Sequence, residues 1–392
     1  MTVYPHQLDR LTATLEREGL RALIATTAEN VFYMTGFRSL NHGIFRTQQF
    51  AVWTPRGTAL VVPAIDAPHI ADDSIAVDHV AAFGGFICSY ADSLGPAEQR
   101  IRERTERRAP SPGQALAAAL QVLDVPAGRV GLDEGNLSPA AWERITAHLV
   151  GFTIVPAAGA LLTARRVKSP YEIECLARAL AIAEEALNVV LQMLKPGVTE
   201  REAAATYHAE VVRRDAGLYP SSIAFGERTW IALPPPTERS LRAGDLVKFD
   251  VGAIFKGYYS SIARTAVMGE PGPRQLTAAD AVQAGLQAAV DAVKPGVTAG
   301  HIYDATITAT RAAGLPHFAR GHVGHAIGLE PYERPKLDAG KATTLEAGEV
   351  LRIEVPHLEI GWGGVALRDS VLVTTTDGRV LNRSARGLVV LD

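Results

Sequence analysis

The sequence predicts a two-domain α/β (α+β) protein, with helices and strands mixed in both domains. Three observations lead to this prediction. The chain has 392 residues, more than one ordinary hydrophobic core needs. Apolar residues recur at helical spacing in some segments and form short continuous runs in others. The motif Lys-Pro-Gly-Val-Thr occurs at 195–199 and again at 294–298, which indicates a duplicated unit in the second part.

Composition excludes several classes of protein. With 47% hydrophobic and 21% charged residues, the chain is not disordered, and its net charge of -3 predicts neither a nucleic-acid nor a membrane partner. Cys88 and Cys175 stand far apart, so we expect no disulfide scaffold and a cytoplasmic location. Residues 1–10 lack the apolar core of a signal peptide, and no apolar run is long enough to span a membrane.

The first part alternates helical patterns with short apolar runs. Leu8, Leu11 and Leu15 fall on one face of a predicted helix. Two apolar runs flank the turn at 55–57 and predict a hairpin. The predicted elements are, in order, a helix at 5–19, a strand at 20–24, hairpin strands at 49–53 and 59–63, a strand at 130–133 and a helix at 138–149.

The second part begins near residue 160, which divides the chain into domains 1–160 and 161–392. Pro170 is suited to the first turn of a long helix. Each copy of the repeated motif opens a further helix, and apolar runs between them predict strands. These predicted elements are helices at 199–217 and 298–314 and strands at 245–252, 258–267, 350–355 and 365–374.

Four segments of the second part resemble a known family. They are Phe249–Gly252, Gly257–Thr265, Gly324–Leu329 and Ile353–Pro356. Their order and spacing are similar to the pita-bread (M24) family of creatinase, prolidase and methionine aminopeptidase. The bacterial Xaa-Pro dipeptidase-like branch also resembles Glu330–Pro335 and Gly361–Gly364, and the family's N-terminal domain resembles Glu29–Phe37. The resemblance implies a creatinase-like N-terminal domain, followed by a pita-bread domain with an internal pseudo-two-fold repeat.

The resemblance also implies a set of metal ligands. Metal-dependent members bind two divalent ions with two aspartates, one histidine and two glutamates. On this chain those positions are Asp250, Ser261, His325, Glu354 and Arg368. Serine is a poor ligand and a guanidinium has no lone pair to donate, so we expect no metal and no cofactor. The alternative is that the alignment is displaced by one residue, to the acid at 369.

The retained residues suggest candidate catalytic roles. His325 is the first candidate for acid–base work because imidazole titrates near neutrality. Glu354 and Asp250 are candidate bases or orienting groups, and Tyr259 is a candidate donor to an oxyanion. We hypothesise that Arg368 pairs with Glu354 or Asp250 in the electrostatic place of the metals.

Substrate contacts are predicted at Arg368, Ser261, Trp230, Tyr332 and Arg46. Trp230 would form an apolar wall, and Tyr332 would donate to the substrate. In family dimers the partner's N-terminal domain reaches over the cleft, so Arg46 would clamp a carboxylate. The alternative for each of these residues is a purely structural role.

The predicted function is a metal-independent, creatinase-like hydrolase, forming a homodimer and acting on a C–N bond of a small carboxylate-bearing, amino-acid-like substrate. Two alternatives remain open. The chain is either a catalytically inactive pseudoenzyme that binds a ligand or protein partner, or a metal-dependent Xaa-Pro dipeptidase. The missing ligands favour the first alternative over the second.

Overall fold

The computed structural model describes residues 5–70, 75 and 77–392. The chain divides between Arg165 and Arg166 into two compact units. The boundary expected from the sequence is residue 160. Of the segment searched for a signal peptide, residues 1–4 lie outside the described residues. No helix in the described part of the chain has both the length and the apolar character needed to cross a bilayer.

The first unit is built on a mixed sheet whose described strands run in the order β4-β3-β2-β1-β5-β6. Its main core lies between apolar strand residues and the helices α5 and α6, with Leu116, Leu120 and Ile145 fully buried. The strands are β1 Ala22–Ala25, β2 Phe50–Thr54, β3 Gly57–Pro63, β4 His79–Phe83, β5 Gly128–Leu132 and β6 Phe152–Pro156. The helices are α1 Pro5–Glu18, α2 Ala28–Thr35, α3 Leu40–Phe45, α4 Pro96–Glu106, α5 Pro112–Val122, α6 Pro139–Thr146 and α7 Ala158–Ala164.

The second unit is built on a nine-stranded sheet of the described residues. Seven strands follow the order β14-β13-β15-β16-β12-β9-β8, while β17 pairs with β16 and β18 with β12. The strands are β7 Gly217–Leu218, β8 Ser222–Phe225, β9 Leu246–Val251, β10 Ala253–Phe255, β11 Tyr258–Tyr259, β12 Ile262–Met268, β13 Gly324–Ala326, β14 Glu333–Lys336, β15 Val350–Glu359, β16 Gly363–Val373, β17 Gly378–Val380 and β18 Val389–Leu391. The helices are α8 Pro170–Met193, α9 Glu200–Arg213, α10 Pro273–Ala292 and α11 Ala299–Ala312.

The repeated motif has the same structure in both copies. Thr199 and Thr298 are the N-caps of α9 and α11, where each hydroxyl accepts a hydrogen bond from a backbone N–H of the first turn. Each threonine also forms an isolated β-bridge to a downstream segment, Thr199 to Ser240 and Thr298 to Thr344. The predicted internal repeat and the predicted α/β fold class are therefore confirmed.

The two halves of this unit have separate cores. One core packs α8 and α9 against β8, β9 and β12, and the other packs α10 and α11 against β13, β15 and β16. Val247, Phe249 and Val251 of β9 and Leu351, Ile353 and Val355 of β15 belong to these cores, so the residues between them point away from the cores. Asp250 and Glu354 are therefore directed to the opposite face, called here the concave face.

One predicted strand differs in the structure. The sequence predicts a continuous return strand at 258–267, whereas the chain forms β11, a break at Ser260 and Ser261, and then β12. Ser260 causes the break because its backbone N–H and its hydroxyl both donate to the carbonyl of Ala253. This small hairpin belongs to a second sheet, of order β11-β10-β7 among the described strands.

Candidate active site

The strand register gathers the candidate residues on the concave face. On β15, Leu351 and Ile353 pack into the core beneath α10, so Arg352 and Glu354 take the other face. Glu354 is the register partner of Arg368 on β16. Arg368 is in turn the partner of Ala263 on β12, which pairs with Asp250 on β9. Glu354, Arg368 and Asp250 thus lie in one row across four strands.

Arg368 binds both acids at once. Its Nε and Nη2 donate to Glu354 Oε2 at 3.0 and 2.7 Å. Its Nη2 donates to Asp250 Oδ2 at 3.0 Å, and its Nη1 donates to the other oxygen of Asp250. The hydroxyl of Ser261 accepts a further bond from Nη1 at 3.0 Å. The structure therefore joins four of the residues singled out in the sequence into one buried cluster.

Glu354 is surrounded by cations. Besides Arg368, Arg352 Nη2 lies 3.0 Å from Glu354 Oε2 and Arg320 Nη2 lies 3.4 Å from Oε1. Burial raises the pKa of Glu354, but the Arg368 and Arg352 guanidiniums outweigh burial and hold that pKa well below its usual range. Burial opposes the charge on Arg368, while Asp250 and Glu354 raise its pKa above the usual value. Glu354 and Arg368 are therefore both charged at neutral pH.

His325 lies beside this cluster on β13 and is 1% exposed. Its Nδ1 is 2.8 Å from the carbonyl oxygen of Ala326, which can only accept, so Nδ1 carries the proton and Nε2 is an acceptor. The ring stacks on Tyr332 with centroids 3.7 Å apart. Burial, and then the charge of Arg352, lower the pKa of His325 to about 3. The expected titration near neutrality therefore does not hold, because the ring is desolvated next to a guanidinium.

The remaining predicted residues lie in different surroundings. Tyr332 is about half exposed, and its ring also meets His322 edge-on at 5.8 Å. Tyr259 on β11 packs edge-on against Tyr219 at 5.9 Å. Trp230 ends a short 3-10 helix, Gly226–Trp230, and is partly buried. Their predicted roles stay predictions.

Arg46 belongs to the first unit. It follows α3 in a left-handed conformation, with φ of 52°. With Glu29, His42 and Asn136 it borders a cavity of about 140 Å³ in that unit. Its predicted carboxylate clamp stays a prediction.

Asp369 does not supply the missing carboxylate. It alternates with Arg368 along β16 and therefore faces the opposite side of the sheet. There it accepts hydrogen bonds from Arg264 Nη2 at 2.8 Å and Arg386 Nε at 2.6 Å. The alternative alignment, displaced by one residue, is thus incompatible with the strand register.

Sequence reasoning missed two residues of the site. Arg352 had a usable signal, because two-residue alternation places it on the same face as Glu354. Arg320 had none, since it lies in the loop before β13 and reaches the site only through tertiary folding. Both guanidiniums contact Glu354.

The residues present do not fit a pair of divalent ions. Among the described residues, no group of three or more histidine, cysteine, aspartate or glutamate side chains is arranged to hold a metal. Asp250 and Glu354 instead share the guanidinium of Arg368. Three arginines against two carboxylates give the cluster a formal charge of about +1, which opposes a dication.

Comparison with known proteins decides the family. The family model described as "Metallopeptidase family M24" matches residues 174–375, and the one described as "Creatinase/Prolidase N-terminal domain" matches residues 7–167. The chain belongs to metallopeptidase family M24. It is thus a member of a family of peptidases, and the resemblance found in the sequence is confirmed.

Relatives and solved structures agree with this assignment. The putative dipeptidase YkvY of Bacillus subtilis is 26% identical over 98% of this chain and all of its own length. The Xaa-Pro dipeptidase of Pyrococcus furiosus is 31% identical over 57% of this chain and 65% of its own. The structure of the Xaa-Pro dipeptidase from Bacillus anthracis has a TM-score of 0.81 at 22% identity, covering 98% of this chain and 99% of that one.

The predicted metal-independent, creatinase-like function is wrong. The comparisons return proteins called Xaa-Pro dipeptidase and prolidase, including two Pyrococcus relatives. They support the Xaa-Pro dipeptidase alternative better. Loss of metal ligands does not imply creatinase-like chemistry, because a shared fold does not select one reaction.

Proposed function

We propose that this M24 protein is a hydrolase of dipeptides, of the Xaa-Pro dipeptidase type. The names of its relatives support this substrate class. The observation in the structure that carries the proposal is the polar concave face, which holds Asp250, His325 and Glu354. The guanidiniums of Arg320, Arg352 and Arg368 lie beside them. Charged groups of both signs suit a small zwitterionic peptide, which carries an ammonium and a carboxylate.

The three retained residues differ in what they contribute. Glu354 is ionised, and its oxygens and those of Asp250 are hydrogen-bond acceptors that Arg368 already engages. Neutral His325 presents Nε2 as a hydrogen-bond acceptor toward a substrate or water. Its ring orientation is fixed by the bond to Ala326 and by the stacked Tyr332.

The test is proline release from Ala-Pro and Leu-Pro by the purified protein. The assay is run as purified, after chelation, and with added manganese, cobalt or zinc. The matched control is H325A, which removes the retained imidazole without removing a charge. Proline release that exceeds this variant supports the proposal, and equal release by both proteins contradicts it.

A second candidate is a dipeptide-binding protein without turnover. The hydrogen bonds of Arg368 to both Asp250 and Glu354 favour it, because they engage both carboxylates and the lowered pKa of Glu354 makes that group a poor base at neutral pH. Binding of Ala-Pro, measured by calorimetry without proline release, would support this candidate. Absence of both binding and release would contradict both.

Two further properties are part of the proposal. A homodimer is supported by three exposed apolar side chains of α3, Leu40, Ile44 and Phe45, which are 65–77% exposed. Light scattering after gel filtration tests this state. A cytoplasmic location is supported by Cys88 and Cys175, which are both free thiols. Cell fractionation tests the location.

A further inference from the structure

The concave face has more positive than negative charge. Arg320, Arg352 and Arg368 all contact the single carboxylate of Glu354. Asp250 is paired with Arg368, which leaves three guanidiniums against two carboxylates. The cluster therefore carries a formal charge of about +1.

The same place has polar atoms without partners. Nε of Arg320, Nε of Arg352 and Nδ1 of His322 are buried and have no hydrogen-bond partner among the described residues. Buried donors are normally satisfied, because an unpaired one retains its full desolvation cost. Arg352 Nε and Arg320 Nε are donors only, so their natural complement is an anionic acceptor.

A cavity of about 490 Å³ borders Arg320, while Arg352 and His322 are not part of its wall. Arg320 belongs both to the cluster and to the cavity wall. The rest of the wall includes the apolar residues Leu315, Phe318, Pro356 and Leu358. This volume is within the usual range for small-molecule sites and accommodates a dipeptide.

We propose that Arg320, Arg352 and His322 form an anion site for one carboxylate of the bound peptide, and that an adjacent apolar group of the ligand occupies the cavity. The inference rests on the proposed function for the peptide class. It does not depend on turnover. The carboxylate has two sources in such ligands, the C-terminus and an acidic side chain, and both would make the same charge-assisted hydrogen bonds.

Calorimetric binding of three probes to the wild-type protein tests the site. Ala-Pro has only the C-terminal carboxylate, Glu-Pro-amide has only the side-chain carboxylate, and Ala-Pro-amide has neither. We expect at least one carboxylate probe to bind about 10- to 100-fold more tightly than Ala-Pro-amide. The tighter of the two identifies the source. Equal binding of all three probes, or no binding of any, would overturn the inference.

Variants assign the effect to these arginines. R320Q and R352Q are each expected to lower affinity for the carboxylate probe about 10- to 100-fold, with little change for Ala-Pro-amide. R201Q is the control, because Arg201 is an exposed arginine of the same unit, paired with Glu238. If both variants keep the wild-type preference for a carboxylate, the assignment is wrong. Carboxylate preference without proline release would retain the anion site while contradicting the proposed hydrolysis.

Discussion

Reversing the charge of Arg368 is the most direct test of the central cluster. Arg368, Asp250 and Glu354 are each less than 10% exposed. In the variant R368E, Asp250 loses the guanidinium that donates to both of its oxygens. Glu354 keeps its contacts to Arg352 and Arg320. Three carboxylates would then face two guanidiniums, with Asp250 lacking its partner.

The size of the effect follows from burial. Removing one partner of a buried ion pair costs about 3–5 kcal/mol, because the remaining charge is left desolvated. For a domain of this size, 1 kcal/mol corresponds to roughly 2–4 °C in melting temperature. We therefore expect R368E to unfold about 6–20 °C below the wild type.

Differential scanning calorimetry measures this difference. The matched control is R201E, which makes the same charge reversal at Arg201, an arginine that is 63% exposed. An exposed pair contributes less than about 1 kcal/mol, so the control is expected to melt close to the wild type. If R368E melts no lower than R201E, the guanidinium does not stabilise the cluster and the reasoning fails.

Three other variants test separate parts of the site. S261D/R368E restores both missing carboxylates. A hundredfold excess of Mn²⁺ over Kd should raise the free energy of unfolding of this variant by about 2.7 kcal/mol and should leave that of the wild type unchanged. An equal increase in both proteins would show that the donors of the wild type suffice to bind the ion. The pKa of His325 is about 3 when folded, against an ordinary value of 6.5, so the unfolded chain binds more protons between these pH values. The free energy of unfolding therefore falls by about 1.4 kcal/mol for each pH unit between these values as the pH is lowered. Urea unfolding of H325Q at several pH values should lack this contribution. The same pH dependence in H325Q and the wild type would contradict a buried neutral ring. D369A leaves Arg264 without its carboxylate and should cost about 3–5 kcal/mol in urea unfolding, whereas a neutral result would refute that pairing.

Local sequence patterns predicted much of the scaffold. The runs near 245–252 and 350–355 identified β9 and β15, because apolar residues there recur at every second position, as in a strand that packs one face on a core. The repeated motif marked the starts of α9 and α11 through the capping preference of threonine. These features depend on neighbours within one turn or strand, so one sequence is enough to recognise them.

The electrostatics of the site were not predictable in the same way. The pKa of His325 depends on burial and on Arg352, a neighbour across the β13–β15 register rather than along the chain. Arg320 approaches Glu354 from a loop, where no periodic pattern fixes the direction of a side chain. Long-range contacts of this kind decide protonation, and they appear only when the sheet is assembled.

The changes at positions 261 and 368 make sense as one unit. Four carboxylates without metal would repel one another in a buried cluster. Replacing one with arginine alone would leave an aspartate at 261 competing with Asp250 for Nη1 of Arg368. Serine at 261 instead offers a small neutral acceptor at 3.0 Å, which lets the guanidinium reach Asp250 and Glu354 together. Arg368 thus binds both retained acids but offsets only one of their two negative charges, and Arg320 and Arg352 bring the cluster to a formal charge of about +1.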